Sequence, residues 1–136
     1  MRIELANSLD EMANVITALE EFSDSAGLDM RTAQAAEMAL DELLTNIISY
    51  GYLDSGQHKI TVDMCVVENA LQIVVADGGI PFNPFEQEEP DLDASIEERD
   101  LGGMGIHLVK KFMDECTYQR LEERNVVTLL KYLGQK

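Results

Sequence analysis

From Lys59 to Asp77 the chain carries a pattern that paired strands satisfy best. The runs ITVDMCVV and ALQIVVAD are rich in β-branched residues, and Glu68-Asn69 separates them. Such residues suit a pleated, half-buried surface, so the stretch reads as a hairpin ending at Asp77. The apolar face of that hairpin has to be covered by a second layer.

Helical spacing elsewhere supplies the cover. Leu9, Met12, Val15, Ile16, Leu19 and Phe22 recur on one face after Ser8, an N-cap candidate with Glu11 three residues on. That helix breaks at Ser23–Gly27. Asp29 can cap a second helix, which stops near Gly51 and carries Leu40, Leu43, Leu44 and Ile47 as its apolar stripe. A third helix is expected from about Gly105, burying Ile106, Val109, Phe112 and Met113. Arg2 to Leu5 reads as a short strand. Two last strands, Glu115 to Glu122 and Val126 to Leu133, flank a polar turn at Glu123–Asn125.

Hairpins with helices inserted between them predict an α+β fold, a two-layer sandwich of a mostly antiparallel sheet with helices on one face. A doubly wound parallel sheet fits less well. The 136 residues suit a single domain, 1–136. Between Gly78 and Gly105 no apolar period is sustained. Pro81, Pro84 and Pro90 fall there, with an acidic run from Glu86 to Asp100, and the stretch reads as a long surface loop over about 80–102.

A formal charge of -16 argues against direct nucleic-acid or anionic-membrane binding. It suits either steering toward a basic protein partner or plain solubility. Cys65 and Cys116 lack metal-ligand spacing and read as buried reduced thiols, and no apolar run reaches the roughly eighteen residues of a membrane span. A cytoplasmic location is expected.

Three short patterns carry chemistry. Glu42 and Asn46 lie four residues apart on the second helix, so both can point at one object. An Asn carbonyl is a hard oxygen ligand, and magnesium bound to a nucleotide takes few protein oxygens. The pair also fits the solvated face of an amphipathic helix. Asp77-Gly78-Gly79-Ile80-Pro81-Phe82 closes the hairpin. A carboxylate there could accept a hydrogen bond from the exocyclic amino group of adenine, or the segment could be a plain strand-to-loop turn. Gly102-Gly103-Met104-Gly105 precedes the third helix, where free N–H groups at the positive dipole end suit a polyphosphate. Glycines in that place also serve as a flexible entry.

In combination and in this order, the three patterns resemble the Bergerat-fold ATP-binding superfamily, which includes histidine kinases, gyrase and the anti-sigma-factor serine kinases. DELLTNIISYGY, DGGIPFNPFE and GGMGIHLVKKFMDE are most similar to the anti-sigma regulatory factor branch, over about Leu9 to Lys131. The resemblance implies ATP and Mg2+ as cofactors, with Asn46 as magnesium ligand, Asp77 as adenine reader and Gly79 letting the base approach. Gly103, Met104 and Gly105 would border the phosphates, and the loop would act as an ATP lid. Glu42 falls on the general-base position of the kinase members, and the activity implied is that of a protein serine/threonine kinase. Its partners would be an anti-anti-sigma antagonist and a sigma factor, and a homodimer is compatible with it. A nucleotide-gated binding module without catalysis is the alternative.

Two departures stand out. Arg99 is the only lysine or arginine between Gly79 and Val109, either a phosphate contact or a solvated arginine. The last strand reads NVVTLL where many members have a glycine and threonines. Thr128 in it reads as a core residue or one facing the pocket, His107 as structural and His58 as a strand-edge residue.

Overall fold

The computed structural model describes residues 1–54, 56–86 and 101–133, and for 101–104 the backbone alone. Arg99, Pro90 and nearly all of the acidic run lie outside the described residues. Among the described residues there are five strands: β1 (Arg2–Ala6), β2 (Lys59–Val67), β3 (Ala70–Asp77), β4 (Glu115–Leu121) and β5 (Arg124–Tyr132). They form one sheet in the order β1-β2-β3-β5-β4, and every pairing is antiparallel. Three α-helices among the described residues, α1 (Met12–Ala26), α2 (Met30–Tyr50) and α3 (Leu101–Phe112), complete the α+β sandwich.

Alternation along the strands decides what faces the helices. Ile60, Val62 and Met64 of β2, Leu71, Ile73 and Val75 of β3, and Val127 and Leu129 of β5 are buried. They meet Leu40 and Leu44 of α2, Leu19 of α1 and Ile106 and Val109 of α3 in one core. Thr128 falls between Val127 and Leu129 and so points to the opposite face of the sheet, away from the core and the cavity described below.

The helix starts follow the capping signals with one change. Asp29 Oδ1 accepts the Thr32 N–H at 2.7 Å and opens α2. Ser8 caps a short 3-10 turn at Leu9–Glu11 instead of α1 itself, and Glu11 reaches back to the Ala6 N–H at 2.9 Å. The turn rotates Leu9 out of the predicted stripe, leaving it 55% exposed. Phe112 departs likewise. Ile106, Val109 and Met113 are buried, but Phe112 projects roughly a quarter-turn away from them and is 47% exposed.

The two hairpin turns share one geometry. Glu68 and Asn69 have φ of 48° and 64°, and Glu122 and Glu123 have 50° and 65°, the left-handed pair that matches strand twist. The second turn therefore sits one residue earlier than Glu123–Asn125. β5 starts at Arg124, and Asn125 belongs to the strand.

Cys116 of β4 packs against the core opposite Leu129, and burial pushes its thiol up to about 11. A thiol two units above the ordinary 9.0 has about 100-fold less thiolate at a given pH. In a Cys65→Ser background, iodoacetamide at pH 8 should therefore alkylate folded protein about 100-fold more slowly than urea-unfolded protein. Equal rates would mean that the thiol is not held in the core. The unfolded thiol ionises first, so this contribution to stability is complete below pH 9 and is lost as pH rises from there through 11.

Candidate functional site

The β3 alternation that buries Leu71, Ile73 and Val75 also turns Asp77 toward the helices. At that end of the sheet the layers part. Between α2 and the ends of β3 and β5 lies a cavity of about 520 Å3, walled by Leu43, Ile47 and Val127. Asn46, Asp77 and Asn125 give it polar groups. An apolar slot with a few fixed polar atoms suits a flat heteroaromatic ligand.

Asp77 is 3% exposed. Its Oδ2 accepts the Gly79 N–H at 2.8 Å and Asn125 Nδ2–H at 3.1 Å. Oδ1 has no protein donor among the described residues, so one carboxylate oxygen is available to a donor in the cavity. Gly79 is demanded by its neighbours. A Cβ there would lie 2.3 Å from the Gly51 carbonyl oxygen and 2.9 Å from Asp77 Oδ2. The Ile80 N–H donates to that same Gly51 carbonyl at 2.8 Å, so the chain leaving β3 is tied to the end of α2.

Tyr52 lies near Asp77 without lining the cavity. Its ring stacks on His58 at 4.1 Å, and His58 Nε2 is 2.7 Å from Asp54 Oδ1. The Tyr52 hydroxyl is buried beside the Gly78 backbone. Burial, and then the charge of Asp77, raise this phenol above its ordinary range.

Asn46 and Glu42 do face one another, as their spacing on α2 predicts. Asn46 Nδ2 donates to Glu42 Oε2 at 3.1 Å, which leaves the Asn46 carbonyl oxygen as the atom offered outward. Asn46 lines the cavity, and Glu42 stands one turn back along α2. No group of three or more His, Cys, Asp or Glu side chains among the described residues could hold a metal ion. A cation here would rest on ligand phosphates with Asn46 as its one protein oxygen, a donor set that magnesium accepts.

The glycine-rich segment differs from expectation. Helix α3 begins at Leu101, so Gly102, Gly103, Met104 and Gly105 lie in its first turns and not ahead of it. Packing explains at least one of these glycines, each of which costs about 1 kcal/mol relative to Ala in a helix interior. A Cβ on Gly105 would sit 2.0 Å from the Glu42 carboxyl carbon. Glu42 thus lies against α3. Because that carboxylate is the end of a flexible side chain, Gly105→Ala should displace it without unfolding the protein. The expected result is a melting temperature unchanged within about 4 °C and a shifted Asn46 side-chain amide resonance, because Glu42 is the acceptor for that amide. Thermal denaturation beside NMR checks both halves, and an unmoved Asn46 resonance would show that Gly105 does not position Glu42.

Three contributing residues escape the sequence patterns. Asn125 pairs with Asp77 in register, Tyr118 of β4 donates its hydroxyl to Asn125 Oδ1 at 2.6 Å, and Arg120 Nη1 donates to the Gly79 carbonyl at 2.9 Å. Only Asn125 left a trace, as the polar residue continuing the Val127, Leu129 alternation.

The pattern of the histidine kinase-like ATPase domain matches residues 5–131. The chain belongs to this family. It is 30% identical over 103 residues to the serine-protein kinase RsbW of Bacillus velezensis, covering 72% of this chain and 63% of that protein. With the serine/threonine-protein kinase BtrW of Bordetella bronchiseptica it shares 27% over 95 residues, 70% of this chain and 67% of that one. The match to RsbW thus spans less than two thirds of that relative's length. Among solved structures, the RsbU and RsbW domains of a Mycobacterium tuberculosis protein superpose with a TM-score of 0.67 at 13% identity, covering all of this chain and 33% of the other. The histidine kinase domain of a blue-light activated histidine kinase from Erythrobacter litoralis gives 0.58 at 15%, covering 90% and 59%. At such identities the likeness is one of fold, and the α+β sandwich is that of the histidine kinase-like ATPase domain. No helix among the described residues is long and apolar enough to cross a membrane.

Proposed function

We propose that this histidine kinase-like ATPase domain binds ATP with magnesium in the cavity beside α2 and acts as a protein serine/threonine kinase of the anti-sigma type, working in the cytoplasm. Its substrate would be an anti-anti-sigma antagonist, and a sigma factor would be held while the antagonist is unavailable. The observation that carries the reading is that Asp77 and Asn46 line one apolar cavity while Glu42 is hydrogen-bonded to Asn46. The names of the relatives, serine-protein kinase and serine/threonine-protein kinase, support the choice of reaction.

Adenine would enter the apolar slot and donate its amino hydrogen to Asp77 Oδ1. Guanine carries an acceptor at that position and would meet the carboxylate unfavourably. Asn46 would hold the metal, which supplies charge neutralisation for the phosphates. Glu42 would take the proton of a Ser or Thr hydroxyl as that oxygen bonds to the γ-phosphorus. The β–γ bridging P–O bond breaks, and ADP leaves. Arg99, Gly103, Met104 and Gly105 are proposed to border the phosphates.

Calorimetry of ATP binding with and without magnesium tests the site. The wild type should bind tightly only with magnesium, and Asn46→Ala should weaken that binding by about 10- to 100-fold and remove the metal dependence. Folded wild-type protein that binds no ATP would end this reading.

A further inference from the structure

We infer that Asn125 is a positioning residue that holds the Asp77 carboxylate in its base-reading orientation and ties it to the first turns of the chain after β3. The inference rests on the nucleotide reading above and extends it to how the base is selected.

All the hydrogen-bonding capacity of the Asn125 side chain is used. Nδ2 donates to Asp77 Oδ2 at 3.1 Å and to the Ile80 carbonyl at 2.7 Å. Oδ1 accepts the Phe82 N–H at 3.2 Å and the Tyr118 hydroxyl at 2.6 Å. An Asn amide offers two donors and two acceptor lone pairs, so the side chain has one way to sit and no spare group. At 5% exposure of Asn125, its buried bond to Asp77 is shielded from competing water.

Two consequences follow from where the bonds go. With Gly79 N–H and Asn125 Nδ2–H both on Asp77 Oδ2, the carboxylate cannot rotate without breaking one of them, and Oδ1 stays the oxygen without a protein donor among the described residues. Asp77, Ile80, Phe82 and Asn125 also line the same cavity. The amide that orients the base-reading carboxylate therefore also seats the Ile80–Phe82 backbone, which brings two apolar side chains to the cavity rim. Arg120 holds the Gly79 carbonyl from β4, so this segment is fixed by side chains of the last two strands, β4 and β5. A ligand that satisfies Asp77 would steady the rim, and one that repels Asp77 would loosen it. Selection of the base and order of the rim become one coupled event.

Calorimetry with non-hydrolysable ATP and GTP analogues in the presence of magnesium, on wild type, Asn125→Ala and Tyr118→Phe, tests the inference. Amide exchange of Phe82 by NMR gives a second reading that needs no ligand. Asn125→Ala should lose about tenfold or more in ATP-analogue affinity and under threefold in GTP-analogue affinity, so that discrimination collapses. The Phe82 amide should exchange about tenfold faster in that variant. Tyr118→Phe, which keeps the amide and removes one hydroxyl, should move both quantities the same way by about threefold and stay folded. A residue that merely supports the fold would weaken both nucleotides alike. Discrimination that survives both substitutions in folded protein, or an unchanged Phe82 amide, overturns the inference alone. Wild-type protein that binds neither analogue overturns the nucleotide reading and this inference with it.

Discussion

Glu42→Gln is expected to lower phosphate transfer to a serine-bearing antagonist by about 10²- to 10⁴-fold while leaving ATP affinity within about threefold. The substitution is nearly isosteric, and a glutamine oxygen can still accept the Asn46 Nδ2–H that Glu42 Oε2 accepts at 3.1 Å. What disappears is the capacity to take a proton from the attacking hydroxyl, a loss felt in the transition state and not in the ground state. Mass-spectrometric counting of antagonist phosphoserine over time, beside calorimetric ATP binding, separates the two. If transfer persists at the wild-type rate, Glu42 is not the base. If folded wild type binds ATP and exchanges partners but transfers nothing to its cognate antagonist, the domain is a nucleotide-gated binding module.

Asp77→Ala should have the second large effect, a loss of about 100-fold or more in ATP affinity together with a measurable loss of stability. Two donors, the Gly79 N–H and Asn125 Nδ2–H, would be left facing an apolar methyl in a buried site. Each stranded buried donor costs about 1–3 kcal/mol. The base would lose the charged acceptor that distinguishes adenine. Asp77→Asn separates these contributions. An amide keeps the volume and one acceptor, so stability should recover in part, but it cannot satisfy both protein donors and the base through oxygen. Urea denaturation alongside ATP titration reads both variants. ATP affinity unchanged in folded Asp77→Ala would remove Asp77 from base recognition.

Both predictions concern residues found by short-range spacing. An i, i+4 relation on α2 is enforced by helix geometry, and the meeting of Glu42 and Asn46 follows from it. Asp77 was accessible for a similar reason, since a carboxylate ending a buried strand is conspicuous against ITVDMCVV and ALQIVVAD. Asn125 was not. The polar run Glu123–Asn125 reads as the turn, but LEERN has no Asn-Gly or Asp-Gly to mark its place, and Glu122 and Glu123 take the left-handed conformation instead. A shift of one residue at that turn decides whether Asn125 is a solvated loop residue or the register partner of Asp77.

The other departures have the same origin. The exposure of Leu9 depends on a 3-10 turn inserted before α1, and that of Phe112 on which side of α3 meets the core. Neither is written in a hydrophobic period, because apolar residues beside a stripe look the same whether they are covered or not. The α3 start at Leu101 shows the opposite effect. Glycines read locally as helix breakers, yet at Gly105 the absent side chain makes room for a carboxylate from another helix.

The sequence by itself determined the elements and their class: three helices, an antiparallel sheet, the Glu42–Asn46 pair and a carboxylate at the end of β3. These depend on periodicity, capping and β-branching, which act over a few residues. Only the tertiary structure decided that Asn125, Tyr118 and Arg120 gather around Asp77 and Gly79, and that Glu42 is packed on Gly105. Apart from the Tyr118–Asn125 bond between neighbouring strands, those contacts join residues more than forty positions apart. They exist because strand register and helix packing bring the positions together, and no local preference encodes that.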